Sequence, residues 1–359
     1  MQGWNNPAGD EFFARQRRNA DIASASSTDA YARGQAEFFY SLMRRIAKEL
    51  NDATGALCIS SGSQPNEIQI LDMCMAPGGF LDVATKLNPS SSATAFSLPV
   101  TDGGHDVLLE PSANISIKML DVTMLAADMG AQRIPDTYPD PQNFLPKQLP
   151  DGPLFDLVMC DGVILRTHDR PSHRESGEGM RLMKVQLALG LEHVKPNGTM
   201  IVLLHGVAAI PNVKLLRQFS DFSTLRLFKP KTGHAKRSSF YMIATDIQID
   251  HPSVAKAIAE FKQEWYIATF GTDEEVAKMK ITDKAAVEKL LDEFGSELIR
   301  LGTEVWAVQA EALAKAPFIK DDGAGASDQR ENARPEPQRP GRWVRGGGKW
   351  RLRAEHQRT

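Results

Sequence analysis

The sequence predicts an α/β fold, a mostly parallel sheet with helices on both faces. Three observations predict it. Short apolar runs of strand length alternate with stretches of helical spacing, the pattern of βαβ units. One run, Ile68–Leu71, ends on Asp72 and passes through Pro77-Gly78-Gly79 into a helix-like run from Leu81 to Leu87. A later run, Phe155–Cys160, also ends on an acid, Asp161. In open α/β sheets ligands gather at the carboxyl ends of strands, where both acids would lie.

The elements follow in order. Residues 1–29 are polar and rich in Ser and Ala, and are expected to lack order. From about residue 30 to 54, Phe38, Phe39, Leu42, Met43, Ile46 and Leu50 recur near helical spacing. Strands are expected at 68–71, 93–99, 115–120, 155–161, 199–205, 224–228 and 240–244, seven in all. Met180–Val194 reads as a helix, and Pro196-Asn197-Gly198 as the turn before the fifth strand. Together these make a domain over 30–249. Beyond it, Val254, Ile258, Phe261 and Trp265 keep helical spacing, as do Val287, Leu290, Leu291, Phe294 and Leu298 after the cap residue Asp283. This extension over 250–319 carries more acids than bases, so it is expected to pack on the domain or on a protein partner. Residues 320–359 are rich in Gly, Pro and Arg and read as a disordered basic tail with Trp343 and Trp350.

Composition narrows the class. The chain has 359 residues, 42% hydrophobic and 24% charged, enough for a sizeable core. Its net charge of −3 confines any nucleic-acid contact to local patches. Cys58, Cys74 and Cys160 are scattered without ligand spacing, which points to a reducing compartment and to no structural metal. No apolar run reaches membrane-spanning length and no apolar leader opens the chain, so a cytoplasmic or nuclear location and no membrane contact are expected.

The stretch Asp72-Met73-Cys74-Met75-Ala76-Pro77-Gly78-Gly79-Phe80 carries the most chemistry. Its paired glycines are expected to let backbone approach a ligand. A dinucleotide fingerprint would place G-x-G-x-x-G first and an acid about 20 residues later. Here the acid precedes the glycines, which argues against a nicotinamide-dependent oxidoreductase. The D-x-x-x-A-P-G-G-F pattern resembles the first motif of the FtsJ-like methyltransferases, the type of the ribosomal RNA large subunit methyltransferase E. Lys229-Pro230 through Ser239-Phe240-Tyr241 resembles that family's segment before the last strand. The helical extension is similar to that of fungal-type members.

The resemblance implies a Rossmann-like methyltransferase fold and S-adenosyl-L-methionine as cofactor. It places Asp72, Ala76, Pro77, Gly78, Gly79 and Phe80 along the methionine and ribose side. Ser97 stands where an acid usually meets the ribose hydroxyls, and Asp121 where a partner for the adenine amino group is found. Asp121 reads equally as a helix cap after a strand. Ribose-methylating members carry a Lys-Asp-Lys-Glu tetrad, and Asp161 matches its aspartate. The other three positions hold Tyr40 or Ser41, Leu203 or Leu204, and Ser239. Arg44, Arg45 and Lys48 follow further along, and the arginines stay protonated and cannot serve as bases. The resemblance therefore implies the cofactor site more strongly than ribose 2′-hydroxyl methylation. Asp161 remains a candidate base for a more acidic acceptor, with His168, His173 and His205 as further titratable groups near strand ends. RNA is an expected partner through the basic loop with Arg166, Arg170 and Arg174, through Lys229, Lys231, Lys236 and Arg237, and through the tail. The alternatives are a catalytically inactive cofactor- or RNA-binding module and a small-molecule O-methyltransferase.

Overall fold

The computed structural model describes residues 7–25, 29–59, 68–164, 171–281, 283–319, 344–346 and 349–351. In chain order these form α1 (Pro7–Ala25), α2 (Asp29–Thr54), β1 (Gln69–Asp72), α3 (Gly79–Leu87), β2 (Ser92–Ser97), β3 (Ile115–Met119) and β4 (Phe155–Cys160). There follow α4 (Glu178–His193), β5 (Val194–His205), α5 (Ile210–Phe219), β6 (Thr224–Phe228), β7 (Ser239–Thr245), α6 (Pro252–Phe270), α7 (Asp273–Lys280) and α8 (Lys284–Ala314). Two short strands, β8 (Val344–Gly346) and β9 (Lys349–Arg351), pair antiparallel in a separate C-terminal unit. The rest of the 320–359 tail lies outside the described residues.

The seven-stranded sheet runs β3-β2-β1-β4-β5-β7-β6. Five neighbouring strands are parallel, and β7 lies antiparallel between β5 and β6. Neighbouring residues along each strand serve opposite faces, because side chains alternate across a pleated strand. Ile70, Leu157, Met159, Ile201 and Leu203 pack on the face covered by α2 and α3. Leu71, Val158, Cys160, Val202 and Leu204 pack on the other, beneath α4, α5, α6 and α8. Helix α2 meets its face through Leu42, Ile46 and Leu50, spaced four apart and all buried.

Three features differ from the sequence expectation. The N-terminal segment expected to lack order forms helix α1 from Pro7. Phe12 and Phe13 stack against Phe318 at centroid separations of 5.0 and 5.7 Å, supplying apolar contacts that the polar composition obscured. Strand β5 starts at Val194, five residues early, and absorbs the Pro-Asn-Gly turn as an irregularity in its pairing with β4. Asn197 takes φ +61° there, which asparagine tolerates better than most residues. Helix α5 was not anticipated.

The extension joins the same compact unit as the sheet. Phe261 and Trp265 of α6 are buried against the α4 side, and the Trp265 indole N–H donates to the Thr123 carbonyl at 3.2 Å. His251 caps α6, a Thr272/Glu275 capping box opens α7, and Asp283 caps α8 as its position suggested.

Candidate functional site

The carboxyl ends of β1 to β4 come together at one edge of the sheet. Asp72 closes β1, Ser97 closes β2, Asp121 follows β3 and Asp161 follows β4. Past β1 the chain still bonds to both neighbours. Met73 N–H donates to Met159 O at 3.0 Å, and Met75 N–H to Phe96 O at 2.9 Å. It then turns at Ala76-Pro77-Gly78 into α3.

Each glycine of the turn has its own cause. Gly78 sits at φ +104°, a conformation side chains rarely adopt, and a Cβ there would lie 2.9 Å from Leu109 Cβ. A Cβ on Gly79 would collide with the Tyr40 carbonyl oxygen and lie 2.9 Å from the Arg44 amide nitrogen. Gly79 is thus required by the packing of α2 on α3, which corrects the expectation that both glycines serve ligand approach. Phe80 is buried against Tyr241, ring centroids 5.5 Å apart. Pro77 and Ser97 are buried, while Ala76 is partly accessible. Cys74, Leu98 and Gly162, which the sequence reading passed over, are partly accessible at the same edge. Gln186 of α4 pins that edge: its amide accepts from Gly162 N–H at 2.9 Å and donates to Gly162 O at 3.2 Å.

Two carboxyls dominate the electrostatics. Asp72 is only 1% exposed, and its carboxylate accepts from Cys74 N–H at 3.2 Å. Burial pushes this carboxyl well above the usual carboxylate range, and the charge of Asp161 adds to the rise. Asp161 has one buried carboxylate oxygen with no protein partner. Burial pushes its carboxyl up to about 6, against a bond from its own backbone. A buried acceptor without a donor is costly, so a ligand cation or N–H placed here would be held strongly. These features fit S-adenosylmethionine, which carries an ammonium and a sulfonium: two acids, one with an orphaned oxygen, stand beside a turn that carries the small residue Ala76 at its accessible point.

Asp121 is committed elsewhere. It caps the 3₁₀ turn Val122–Met124, accepting from Thr123 N–H at 2.9 Å and from the Thr123 hydroxyl at 2.7 Å. Its other oxygen pairs with Arg174 at 2.7 Å. Burial would raise its carboxyl, but the Arg174 guanidinium and the Thr123 bonds outweigh that and hold it below the usual range. Arg174 also grips Glu178, which pairs in turn with the fully buried Arg181 at 3.0 Å. Arg174 therefore does not face substrate, as the basic loop suggested. Arg166, His168 and Arg170 lie outside the described residues. His173 stands 3.1 Å from an Asp140 oxygen.

The β6–β7 loop also differs from expectation. Lys229 is buried, and its ammonium donates to the carbonyls of His234 at 2.9 Å, Ser239 at 2.6 Å and Arg237. Burial pulls it down to about 8. Three acceptors nonetheless require three N–H donors, so the charged form is the one held at neutral pH. Lys229 is a loop staple rather than a substrate contact. Lys231 and Arg237 are exposed, and the half-buried Lys236 lies 5.8 Å over the Phe12 ring.

The resemblance assigns the other tetrad positions to Tyr40 or Ser41, Leu203 or Leu204, and Ser239. Leu203 pairs with Tyr241 across β5 and β7, and Ser239 is buried opposite His205. Burial and the Asp161 charge push the Tyr241 phenol well up, leaving it neutral. Tyr40 lies beside Asp82, which forms a 2.8 Å ion pair with Arg44. Among the described residues, no group of His, Cys, Asp and Glu could hold a metal ion, and no helix is long and apolar enough to cross a membrane.

The family model described as FtsJ-like methyltransferase matches residues 48–247, more than half of the chain. No curated protein matches. Similar solved structures include the N-methyltransferase NodS from Bradyrhizobium japonicum WM9, at 16% identity and TM-score 0.35, covering 56% of this chain and 97% of that one. An O-methyltransferase family protein from Burkholderia thailandensis matches at 12% identity and TM-score 0.33, covering 59% and 60%. TrmN from Thermus thermophilus matches at 15% identity and TM-score 0.31, covering 56% and 48%.

Proposed function

Because this chain belongs to the FtsJ-like methyltransferase family, we propose that it transfers a methyl group from S-adenosylmethionine to an acceptor more acidic than a ribose hydroxyl. The observation that carries this reading is Asp161, a desolvated carboxyl with an orphaned oxygen. By the resemblance, Leu203 or Leu204, Ser239, and Tyr40 or Ser41 stand where ribose methylation would need lysines and a glutamate. Bound beside the turn, S-adenosylmethionine supplies an electrophilic methyl group on a sulfonium that leaves as a neutral thioether. The Asp161 carboxylate would offset its positive charge, and Cys74, Ala76 and Leu98 would border it.

Asp161 then has the acceptor's proton to take. A carboxylate titrating near 6 is a stronger base than an ordinary aspartate, yet far weaker than a lysine amine. General-base catalysis weakens as the gap between base and acceptor widens. A poorly acidic alcohol with no neighbouring ammonium to stabilise its anion is thus the least suited acceptor. Lys231 and Arg237 remain at the edge to meet an anionic group on the acceptor. They are the support left in this loop for RNA.

Calorimetric titration with S-adenosylmethionine tests the cofactor, and transfer of radiolabelled methyl tests turnover. Saturable binding is expected, with transfer falling about 10²-fold or more in Asp161→Asn. No saturable heat at millimolar ligand would refute the reading. Tight binding without transfer to any acceptor would leave a cofactor-binding module.

A further inference from the structure

An aromatic cluster part-way along α2 stands outside the chemistry described so far. Phe38 is 58% exposed, although it sits in a helix whose next turns are buried. Its ring meets Phe39 edge-on at 5.6 Å, and Phe39 meets the His105 imidazole at 5.6 Å. His105 belongs to the β2–β3 connection, whose Leu108 N–H donates to the Pro77 carbonyl at 3.0 Å. One helical position beyond Phe39, the Tyr40 carbonyl rests on Gly79. The cluster is therefore tied from both sides to the turn that borders the cofactor site. Burial lowers the His105 imidazole, so it stays neutral at pH 7 and adds a flat uncharged ring. Val100, also exposed, starts the same connection.

We propose that Phe38, Phe39 and His105 form a stacking platform for the aromatic ring of a phenolic acceptor whose hydroxyl is presented to Asp161. This rests on the methyl-transfer reading above and names its acceptor class. Two independent features converge on it. Exposed aromatic rings bind planar groups by offset or edge-on stacking. The carboxylate, without lysine help, suits a hydroxyl that titrates near about 10, as phenols do, and not an alcohol. The balance is simple: the phenol proton passes to Asp161 and then to water. The phenol oxygen forms the new bond to the methyl carbon, and the carbon–sulfur bond breaks with its electron pair left on sulfur.

The probe is 4-methylumbelliferone, a planar phenol, with cyclohexanol as the non-aromatic alcohol and a short single-stranded RNA as the competing ligand. Binding is read by saturation-transfer NMR on the full chain, with S-adenosylmethionine affinity measured in parallel. Phe38→Ser, at an exposed position, is expected to weaken the phenol about 3- to 10-fold. Phe38→Trp should retain it, cyclohexanol should not bind, and cofactor affinity should stay unchanged in both variants. Phenol binding unaffected by Phe38→Ser, or absent while the cofactor still binds, would overturn the platform alone. RNA that binds in preference to the phenol and is lost in Phe38→Ser would reassign the platform to a nucleobase, overturning the phenol assignment. Failure of the wild-type chain to bind S-adenosylmethionine would instead defeat the reading beneath it.

Discussion

Replacing Asp161 with asparagine should stabilise the ligand-free protein at neutral pH and leave it little changed in acid. The rise of this carboxyl from 3.8 to about 6 is worth about 3 kcal/mol against the folded state once it is ionised, at roughly 1.4 kcal/mol per tenfold change. The folded pKa lies above the unfolded one. The stability gained by protonation is therefore full below about 4 and is lost as pH rises through about 6. The substituted amide has nothing to ionise, and the change also removes the like charge that raises Asp72. The variant's advantage should thus grow by about 1–3 kcal/mol between pH 4 and pH 8, several degrees in the thermal midpoint. Any fixed cost of placing an amide in a carboxylate's site is common to both pH values and cancels. Thermal melts of both proteins across that range make the comparison. A difference independent of pH, or larger in acid, would refute the desolvated-carboxyl argument and with it the assignment of Asp161 as a poised base.

Three further outcomes follow from the packing. Gly79→Ala should destabilise by about 1–3 kcal/mol, since its Cβ forces α2 off α3. Gly130→Ala, which meets nothing within 4 Å, should cost only the left-handed penalty of about 1–2 kcal/mol. A Gly79→Ala protein that melts at the wild-type temperature would deny the helix contact. Lys229→Met leaves three carbonyls without their donor and should cost about 1–3 kcal/mol, with faster amide exchange across 231–239; unchanged exchange would show that the staple is dispensable. Arg174→Met removes the ion-pair partner of Asp121 and leaves the buried Glu178 with Arg181 alone, and a loss of about 3 kcal/mol in denaturant titration is expected. A neutral result there would mean that water reaches those carboxylates.

The strand ends were legible because the sequence states them locally. An apolar run closing on Asp72 or Asp161 needs no tertiary information to be read as a strand reaching the ligand edge. The same is true of Asp283, whose capping role depends on residues three positions away. What escaped was set by partners distant in sequence. Gly79 faces Tyr40, on a helix that precedes the whole sheet, so its need for a bare Cα is invisible in the turn itself. Lys229 resembled a surface cation because nothing nearby in the sequence reveals that its own loop folds three carbonyls around it. Arg174 was read with the basic loop, although Asp121, 53 positions away, and Glu178 claim its charge.

These corrections share a direction. The polar residues that the sequence offered as ligand contacts are largely consumed in holding the edge together, and those left over are few. After Arg174, Lys229 and Asp121 have found their internal partners, the buried oxygen of Asp161 still has none, and Phe38 is still uncovered. An acceptor that brings one acidic O–H and one flat ring satisfies both residues at once.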